Sequence, residues 1–274
     1  RVWIGMGGLE WCRPRHGFLA RTWLKVMEGM ACRAAHRLIF DNQSMAEELE
    51  LRRESRSAVS VIPYGANLSV KTPGLDALHQ LGLEPQRYAL MVCDLEPSNH
   101  VLEVVGAVSA HPSGLPLIVV SENSASNRYQ RHVLDLAGDQ VRFVGPIQDA
   151  DTLRALRYHS HVTIHGNGLD GTHPFLLEAM GCGNFVLAHD NPFNREVLGP
   201  MGRYFTDGED FVRELQCAEE TPERQRRLVG DGARDRVMNL YSWDAVGAEY
   251  LALLRYDLKR QPVASEYQDQ RAAG

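Results

Sequence analysis

The sequence lacks an excess of positive charge, a long apolar run and a leader segment. Its formal net charge is −6, which leaves no basic footprint, so nucleic acid is not an expected partner. No apolar run approaches the roughly 18 residues that cross a bilayer, and no basic start with a long apolar centre indicates a signal peptide. Because a strand-like run follows Arg1 at once, we expect that the chain begins inside a longer protein or that its numbering omits the start.

Cysteine is scarce and its positions show no pattern. The five cysteines are scattered, and none forms a Cys-x-x-Cys pair, so neither a zinc site nor a disulfide framework is indicated. A reducing, cytoplasmic setting is the simplest interpretation. The five are Cys12, Cys32, Cys93, Cys182 and Cys217.

The sequence does contain a regular alternation of short apolar runs and helical patterns. Nine runs predict β-strands at 2–5, 37–40, 59–62, 89–92, 117–121, 141–144, 162–165, 185–188 and 204–205. Helical patterns lie at 18–37, 43–52, 99–110, 127–137, 150–158, 174–180, 207–217, 223–241 and 243–258. Because the strands are short and apolar throughout, they are expected to be buried on both faces of parallel sheets joined by right-handed crossovers. The fold class predicted is α/β.

The strands divide the chain into two unequal parts. Residues 89–205 carry six strands, enough for a complete Rossmann-like unit, whereas residues 1–62 carry only three. We therefore predict a partial N-terminal α/β region at 1–70, a Rossmann-like domain at 71–242, a C-terminal helix at 243–258 and a mobile tail at 259–274. The boundary falls in the stretch 63–74, which is rich in proline, glycine and small polar residues.

The first helix of the N-terminal region carries an apolar stripe. Its members recur at spacings of three and four, which is typical of an amphipathic helix. They are Leu19, Trp23, Met27, Met30, Ala34 and Leu38. A truncated first domain is expected to expose apolar surface, and such a surface suggests a partner.

A glycine-rich loop follows the predicted strand 162–165. The loop GNGLDGTH contains three glycines, Pro174 follows near the first helical position, and Thr172 or His173 is the expected cap. Exposed N–H groups at a helix start attract phosphate, and glycine lets the backbone approach a ligand closely. Glu178, one turn into the helix, would accept hydrogen bonds from sugar hydroxyls. This combination suits a nucleotide sugar.

A second polar segment, HDNPFNREV, follows the predicted strand 185–188. Asp190 or Asn191 is the expected cap, Pro192 lies near the first helical position, and Glu196 lies one turn in. Each segment alone is more often structural, since Asp-Asn-Pro commonly starts a helix and glutamate in a first turn suits the helix dipole. The functional interpretation gains weight because ligands of parallel sheets bind beyond the carboxyl ends of strands, where both segments lie.

With these segments the chain resembles retaining glycosyltransferases of family 4, which have the GT-B fold. The block GLDGTHPFLLEAMGCGNFVLAHDNPFNREVLG at 168–199 is closest to the rhamnosyltransferase-like branch. GGLEW at 7–11, VIPYGA at 61–66 and VRFVGPI at 141–147 match that branch in order and spacing. The resemblance covers nearly all of residues 1–255. It implies retaining hexosyl transfer from a nucleoside diphosphate sugar, with no metal or other cofactor, in polysaccharide biosynthesis.

The resemblance also implies roles for individual residues. Glu178 matches the second acid of the family's E-x7-E pattern, which holds the nucleotide ribose, and Asp170 stands at the first acid. Gly171, Thr172 and His173 match the loop around the sugar and phosphates. Further candidates for donor binding or catalysis are Gly145 and Pro146 beside the base, His165 before the glycine loop, and Arg195 and Glu196. For His165, a satisfied buried histidine is an equal alternative.

The chain departs from the family at several positions. Where many relatives have Gly-Arg, followed by a lysine, this chain has Cys93 and Asp94, with Ser98 near the lysine position. Those cations normally neutralise the diphosphate leaving group. Gly7 stands where relatives often have aspartate, and Cys12 where they often have lysine.

Two other functions stay open at this stage. A catalytically inactive scaffolding subunit in polysaccharide assembly would explain the lost cations and the short first domain. A sugar-nucleotide epimerase would share the fold, but HDNPFNRE does not support it. The expected partners are a nucleotide sugar and a glycan or lipid-linked acceptor. A second copy of the chain or a separately encoded N-terminal half is also an expected partner. Peripheral association with a membrane is expected as well.

Overall fold

The computed structural model describes residues 1–8, 10–13, 16–52, 57–68, 72–111, 114–122, 125–169 and 171–259. It contains two parallel β-sheets in two α/β lobes, in the element order that the sequence predicts. All nine predicted strands are present, and each predicted boundary lies within about one residue of the observed one. The α/β fold class is therefore confirmed. The predicted boundary at residue 70 and residues 260–274 of the predicted tail lie outside the described residues.

The first lobe is built on a three-stranded parallel sheet. Its strands lie in the order β1-β2-β3 and are β1 (Trp3–Met6), β2 (Arg37–Phe40) and β3 (Ala58–Val61). Every residue of the central strand is buried, as expected for a strand with neighbours on both sides. Helix α1 (Phe18–Ala34) and helix α2 (Gln43–Arg52) connect the strands. Within the described residues, three strands are thus all that this lobe contains.

Helix α1 exposes most of the apolar stripe that its sequence predicts. Leu19 is 83% exposed and Trp23 is 63% exposed, and Met30 is also exposed, whereas Cys32 is buried. The predicted helix 18–37 ends early, at Ala34, because Arg37 already pairs in the sheet. The small sheet covers only one side of the helix. The expected exposed apolar surface is present, and the partner predicted to cover it stays a prediction.

The second lobe holds a six-stranded parallel sheet. The strand order is β6-β5-β4-β7-β8-β9. The direction in which successive strands are added to the sheet therefore reverses between β4 and β7. The strands are β4 (Ala89–Val92), β5 (Leu117–Val120), β6 (Val141–Phe143), β7 (Val162–His165), β8 (Val186–His189) and β9 (Arg203–Phe205). All four residues of β5 and of β7 are buried, as expected for central strands covered on both faces. Ligands of such sheets bind at the reversal, beyond the strands' carboxyl ends.

Nine further helices belong to the described part of the chain. They are α3 (Asp76–Gln80), α4 (Val101–Ala110), α5 (Arg128–Leu136), α6 (Ala150–His159), α7 (Pro174–Gly181), α8 (Pro192–Leu198), α9 (Gly208–Glu220), α10 (Glu223–Leu240) and α11 (Trp243–Lys259). Four begin with a side-chain cap from an Asn or Asp, at Asn127, Asp149, Asn191 and Asp207. Over the described residues, none of the helices combines the length and the apolar character needed to cross a membrane.

Two helix predictions need correction. The helix predicted at 99–110 begins at Val101, because Pro97–Asn99 forms a 3₁₀ turn and His100 has a left-handed backbone with φ of 49°. Helix α3 was not predicted, since its five residues are too few to show a helical period. The 3₁₀ turn contacts the glycine loop that follows β7.

Helix α11 returns from the second lobe to the first. Near its end, Asp257 accepts a hydrogen bond from Trp3 Nε1 at 3.0 Å and forms ion pairs with Arg37 at 3.0 Å and with Arg1 at 3.1 Å. The Arg37 guanidinium holds the pKa of Asp257 below its usual range. At its start, Trp243 packs so closely on Gly65 that a Cβ there would lie 2.6 Å from the indole ring. The C-terminal helix therefore ties the two lobes together.

We predict that Asp257→Ala destabilises the protein, because it leaves the buried guanidinium of Arg37 without its carboxylate. The expected drop in Tm is on the order of 5 °C. Glu249→Ala is the matched control, since Glu249 is exposed on the same helix. Thermal unfolding followed by circular dichroism checks the prediction, and an equal Tm for the two variants would contradict it.

Candidate functional site

The glycine loop after β7 passes between two segments that leave no room for side chains. A Cβ at Gly166 would lie 2.0 Å from the carbonyl oxygen of Asn99 in the 3₁₀ turn. A Cβ at Gly171 would lie within 2.4 Å of Asp41 Oδ1 in the first lobe. These are close approaches that only glycine permits. The loop is therefore fixed from both sides before α7 begins.

Thr172 and His173 set the start of α7. The hydroxyl of Thr172 donates to the carbonyl oxygen of Asp41 at 2.5 Å, and Thr172 is buried against the first lobe. His173 is the N-cap: its Nδ1 accepts a hydrogen bond from the N–H of Phe175 at 3.3 Å. Of the two caps that the sequence left open, His173 is thus the one used. The predicted contact of the Gly171 and Thr172 amides with phosphate stays a prediction, and Asp170 lies outside the described residues.

Glu178 faces a cleft between α6, α7 and the segment that links the lobes. The cleft has a volume of about 650 Å³, and Tyr64, Trp243 and Ala150 line it together with Pro174 and Glu178. The side chain of Glu178 is 42% exposed. The acid that the sequence singled out therefore lies at an opening large enough for a nucleoside.

Arg157 is a residue of this cleft that sequence reasoning missed. Its Nη2 lies 2.6 Å from Oε2 of Glu178, although Arg157 is only 4% exposed. An arginine in the last turn of a predicted helix is ordinarily explained by the helix dipole. No spacing in the sequence connects it with an acid on the next helix, so only the packing of α6 on α7 shows the pair.

His165 ends β7 inside a small polar pocket. It is 5% exposed, and its ring centroid lies 5.2 Å from that of His173. Burial, with smaller contributions from His173 and His189, holds the pKa of His165 well below its usual value, so the ring is neutral at neutral pH. A neutral imidazole can donate one hydrogen bond but adds no positive charge.

The positions at which the sequence resemblance leads us to expect cations lie in or next to the same pocket. Cys93, Asp94 and Asn99 line it with His165 and His173, and Ser98 is buried in the adjoining turn. Burial, with a smaller contribution from Asp94, raises the pKa of the Cys93 thiol, which is therefore neutral. None of the described residues that line the pocket is a lysine or arginine. The structure thus brings the substituted positions together at the start of α7.

Gly145, Pro146, Arg195 and Glu196 line neither the cleft at Glu178 nor the small pocket at His165. Gly145, with φ of 74°, and Pro146 belong to the loop after edge strand β6, and neither lines the cleft at Glu178. Arg195 is 58% exposed and forms an ion pair with Asp190 at 2.5 Å. Its guanidinium also lies 4.4 Å from the ring centroid of Tyr204. The predicted donor contacts of these residues stay predictions.

Glu196 has a structural partner in the first lobe. Its carboxylate accepts hydrogen bonds from the backbone N–H groups of Gln43 at 2.7 Å and Ser44 at 2.8 Å, and from the Ser44 hydroxyl at 2.9 Å. It therefore satisfies free N–H groups at the start of α2. This interlobe contact, with Asn191 as the cap of α8, gives the polar segment after β8 a structural role, and its predicted donor contact stays a prediction.

A stacked pair of histidines supports the glycine loop from the other side. The rings of His100 and His189 are nearly parallel, with centroids 3.7 Å apart, and His100 Nδ1 lies 2.7 Å from the carbonyl oxygen of Gly166. Burial and the neighbouring His100 lower the pKa of His189 to about 4. No group of three or more His, Cys, Asp or Glu residues in the described ranges could hold a metal ion.

We predict that the protein loses stability as the pH falls from 6.5 towards 4. Both His165 and His189 have folded-state pKa values below the unfolded value, so the unfolded state binds protons that the folded state does not. The stabilisation is present above pH 6.5 and is lost progressively below it. Urea unfolding at pH 7.5, 6.5 and 5.5 checks this. His189→Asn should reduce the proton uptake on unfolding by up to one proton.

Comparison with known proteins identifies a family for this chain. The family model described as glycosyl transferase-like matches residues 96–252, which include the glycine loop and Glu178. A comparison with curated protein sequences finds no match.

Solved structures share the two-lobed fold. Sucrose-phosphate synthase of Thermosynechococcus elongatus aligns over 90% of this chain and 65% of its own, with 23% identity and a TM-score of 0.73. Anabaena Alr3699/HepE, solved in complex with UDP, aligns over 93% of this chain and 72% of its own, with 16% identity and a TM-score of 0.74. The chain thus spans less than two thirds of the synthase.

These likenesses confirm the GT-B-like architecture with a Rossmann-like donor domain, and at such identities they show the fold alone. The family model covers more than half of the chain, from the turn before α4 to the middle of α11. The protein therefore belongs to the glycosyl transferase-like family.

Proposed function

We propose that this chain binds a nucleoside diphosphate sugar at the start of α7 and transfers the sugar, with retention, to a glycan acceptor. The observation that carries the proposal is the position of Glu178: its half-exposed carboxylate faces a nucleoside-sized cleft one turn behind the capped start of α7. Membership of the glycosyl transferase-like family and the UDP complex of the related Anabaena structure support it.

The residues take separate roles in this proposal. Glu178 accepts hydrogen bonds from the ribose hydroxyls, and Asp170 and His173 contact the sugar. The amides of Gly171 and Thr172 bind the diphosphate, where the N–H groups and dipole of α7 favour negative charge. His165 offers a neutral N–H group at the same place. No metal or cofactor takes part, and the donor is the substrate.

In the proposed reaction the sugar leaves the diphosphate through an oxocarbenium-like transition state. The bond from the anomeric carbon to the diphosphate oxygen breaks, the acceptor hydroxyl oxygen forms its bond on the same face, and the acceptor's proton passes to the departing diphosphate oxygen. The protein contributes by placing donor and acceptor and by stabilising the charge on the departing diphosphate. Because Asp94 and Ser98 stand at the positions of the family's cations near His165, hydrogen-bond donors carry that stabilisation in this chain.

The finer parts of the proposal rest on the sequence resemblance. They are rhamnose as the sugar and dTDP as its carrier, family 4 as the family, and polysaccharide biosynthesis as the process. A cytoplasmic, reducing setting agrees with the five cysteines, which are all free thiols.

A catalytically inactive scaffolding subunit is the second candidate. The pocket at the start of α7 is very small, at about 10 Å³, and Asp94 lies in its lining with no lysine or arginine among the described residues there. A carboxylate at this place repels a diphosphate. This observation favours a subunit that keeps the fold without the chemistry.

We expect titration calorimetry to detect UDP or dTDP binding and Glu178→Ala to weaken it roughly tenfold, since charge-assisted hydrogen bonds to the ribose are lost. Glu209→Ala is the matched control, because Glu209 is an exposed glutamate at the start of α9. Absence of binding to UDP, dTDP and their sugar conjugates would refute the donor site and support the scaffold. Binding without sugar transfer or donor hydrolysis would retain the site and refute the enzyme.

A further inference from the structure

We propose that Arg157 is a positioning residue that holds the carboxylate of Glu178 in the orientation needed to bind the donor ribose. The inference rests on the proposed donor site and adds a residue to it. Its basis is a cation that is almost fully buried yet lies 2.6 Å from a half-exposed carboxylate at the cleft.

The backbone of Arg157 is fixed independently of any ligand. Its carbonyl oxygen accepts hydrogen bonds from Asn184 Nδ2 at 2.5 Å, from the N–H of Ser160 at 3.0 Å and from the Ser160 hydroxyl at 2.8 Å. Asn184 precedes β8, and Ser160 precedes β7, so these contacts anchor the end of α6 to the sheet. The guanidinium therefore projects from a rigid position.

The side chain of Arg157 is directed onto α7. Its guanidinium carbon lies 5.9 Å from the ring centroid of Phe175, one turn before Glu178, and Nη2 forms the ion pair with Glu178. Among the described residues, Nε and Nη2 of Arg157 have no hydrogen-bond partner, so the charge of the guanidinium, 2.6 Å from Oε2 of Glu178, is what restrains the carboxylate. Leaving this cation buried without a counter-charge is unfavourable, so the pair is retained.

The neighbouring thiol does not compete for Arg157. Cys182 lies one turn after Glu178, and burial raises its pKa to about 11, although Arg157 opposes that shift. The thiol is therefore neutral at neutral pH, and the carboxylate is the anion next to the guanidinium. Arg154, the other arginine of the cleft, is more exposed and pairs with Asp151 at 3.0 Å.

The consequence for binding is preorganisation. An exposed glutamate samples several rotamers, and fixing one of them costs free energy when the ligand binds. The ion pair with Arg157 already restricts the Glu178 side chain in the free protein, so less conformational entropy is lost when the ligand binds. Because the Arg157 side chain is buried behind Glu178, it acts through the carboxylate rather than on the diphosphate itself.

The test is a double-mutant cycle on the affinity for UDP and dTDP, measured by titration calorimetry. Arg157→Gln should weaken binding roughly tenfold, and Arg157→Lys, which keeps the charge, should weaken it less. If Arg157 acts through Glu178, the double variant Glu178→Gln, Arg157→Gln is expected to bind the nucleotide no more weakly than the single variant Glu178→Gln does. Unchanged affinity in Arg157→Gln, or losses that add in the double variant, would overturn the inference.

Arg226→Gln controls for lost stability. Arg226 is also a buried arginine of the second lobe, but it donates to the Thr221 carbonyl oxygen and to Gln86 Oε1, away from the cleft. The Arg226→Gln variant should lower Tm and leave nucleotide affinity unchanged. Should Arg157→Gln not fold, Arg157→Met, which also removes the charge, takes its place in the cycle: unchanged affinity in Arg157→Met overturns the inference. A wild-type protein that binds neither nucleotide would instead refute the donor site itself.

Discussion

The site depends on the close approach of one glycine loop to two neighbouring segments. Gly166 lies against the carbonyl of Asn99, and Gly171 lies against Asp41 in the other lobe, with no space for a Cβ at either position. Because the loop is held at both ends, the start of α7 is fixed relative to the sheet. The same contacts make the loop part of the interface between the lobes.

Several polar groups that resemble ligand-binding residues serve this interface. Thr172 donates to the first lobe, Glu196 caps α2, and Asp257 joins α11 to Arg37. Buried polar groups need partners, and an interface between two lobes supplies them as well as a ligand does. Residues at the carboxyl ends of strands can therefore be polar for reasons of assembly, even where a ligand is expected close by.

The electrostatics of the site differ from those of a diphosphate pocket lined by cations. His165 is neutral, the Cys93 thiol is neutral, and Asp94 carries the opposite sign to the cation it replaces. The two described arginines of the cleft lie instead on α6, and one of them, Arg157, pairs with Glu178. Among the described lining residues, positive charge thus lies beside Glu178 rather than in the pocket at the start of α7.

The sequence by itself determined the fold class, the nine strands and the place of Glu178 on α7, because strand period, helical period and turn chemistry are local properties. It also indicated that two polar segments follow neighbouring strands. Only the tertiary structure decided which of them faces a cleft, since Glu196 turned out to contact α2 and Glu178 the opening. The pairs Arg157–Glu178 and His100–His189 each join two different elements, and such contacts follow from packing rather than from any local pattern.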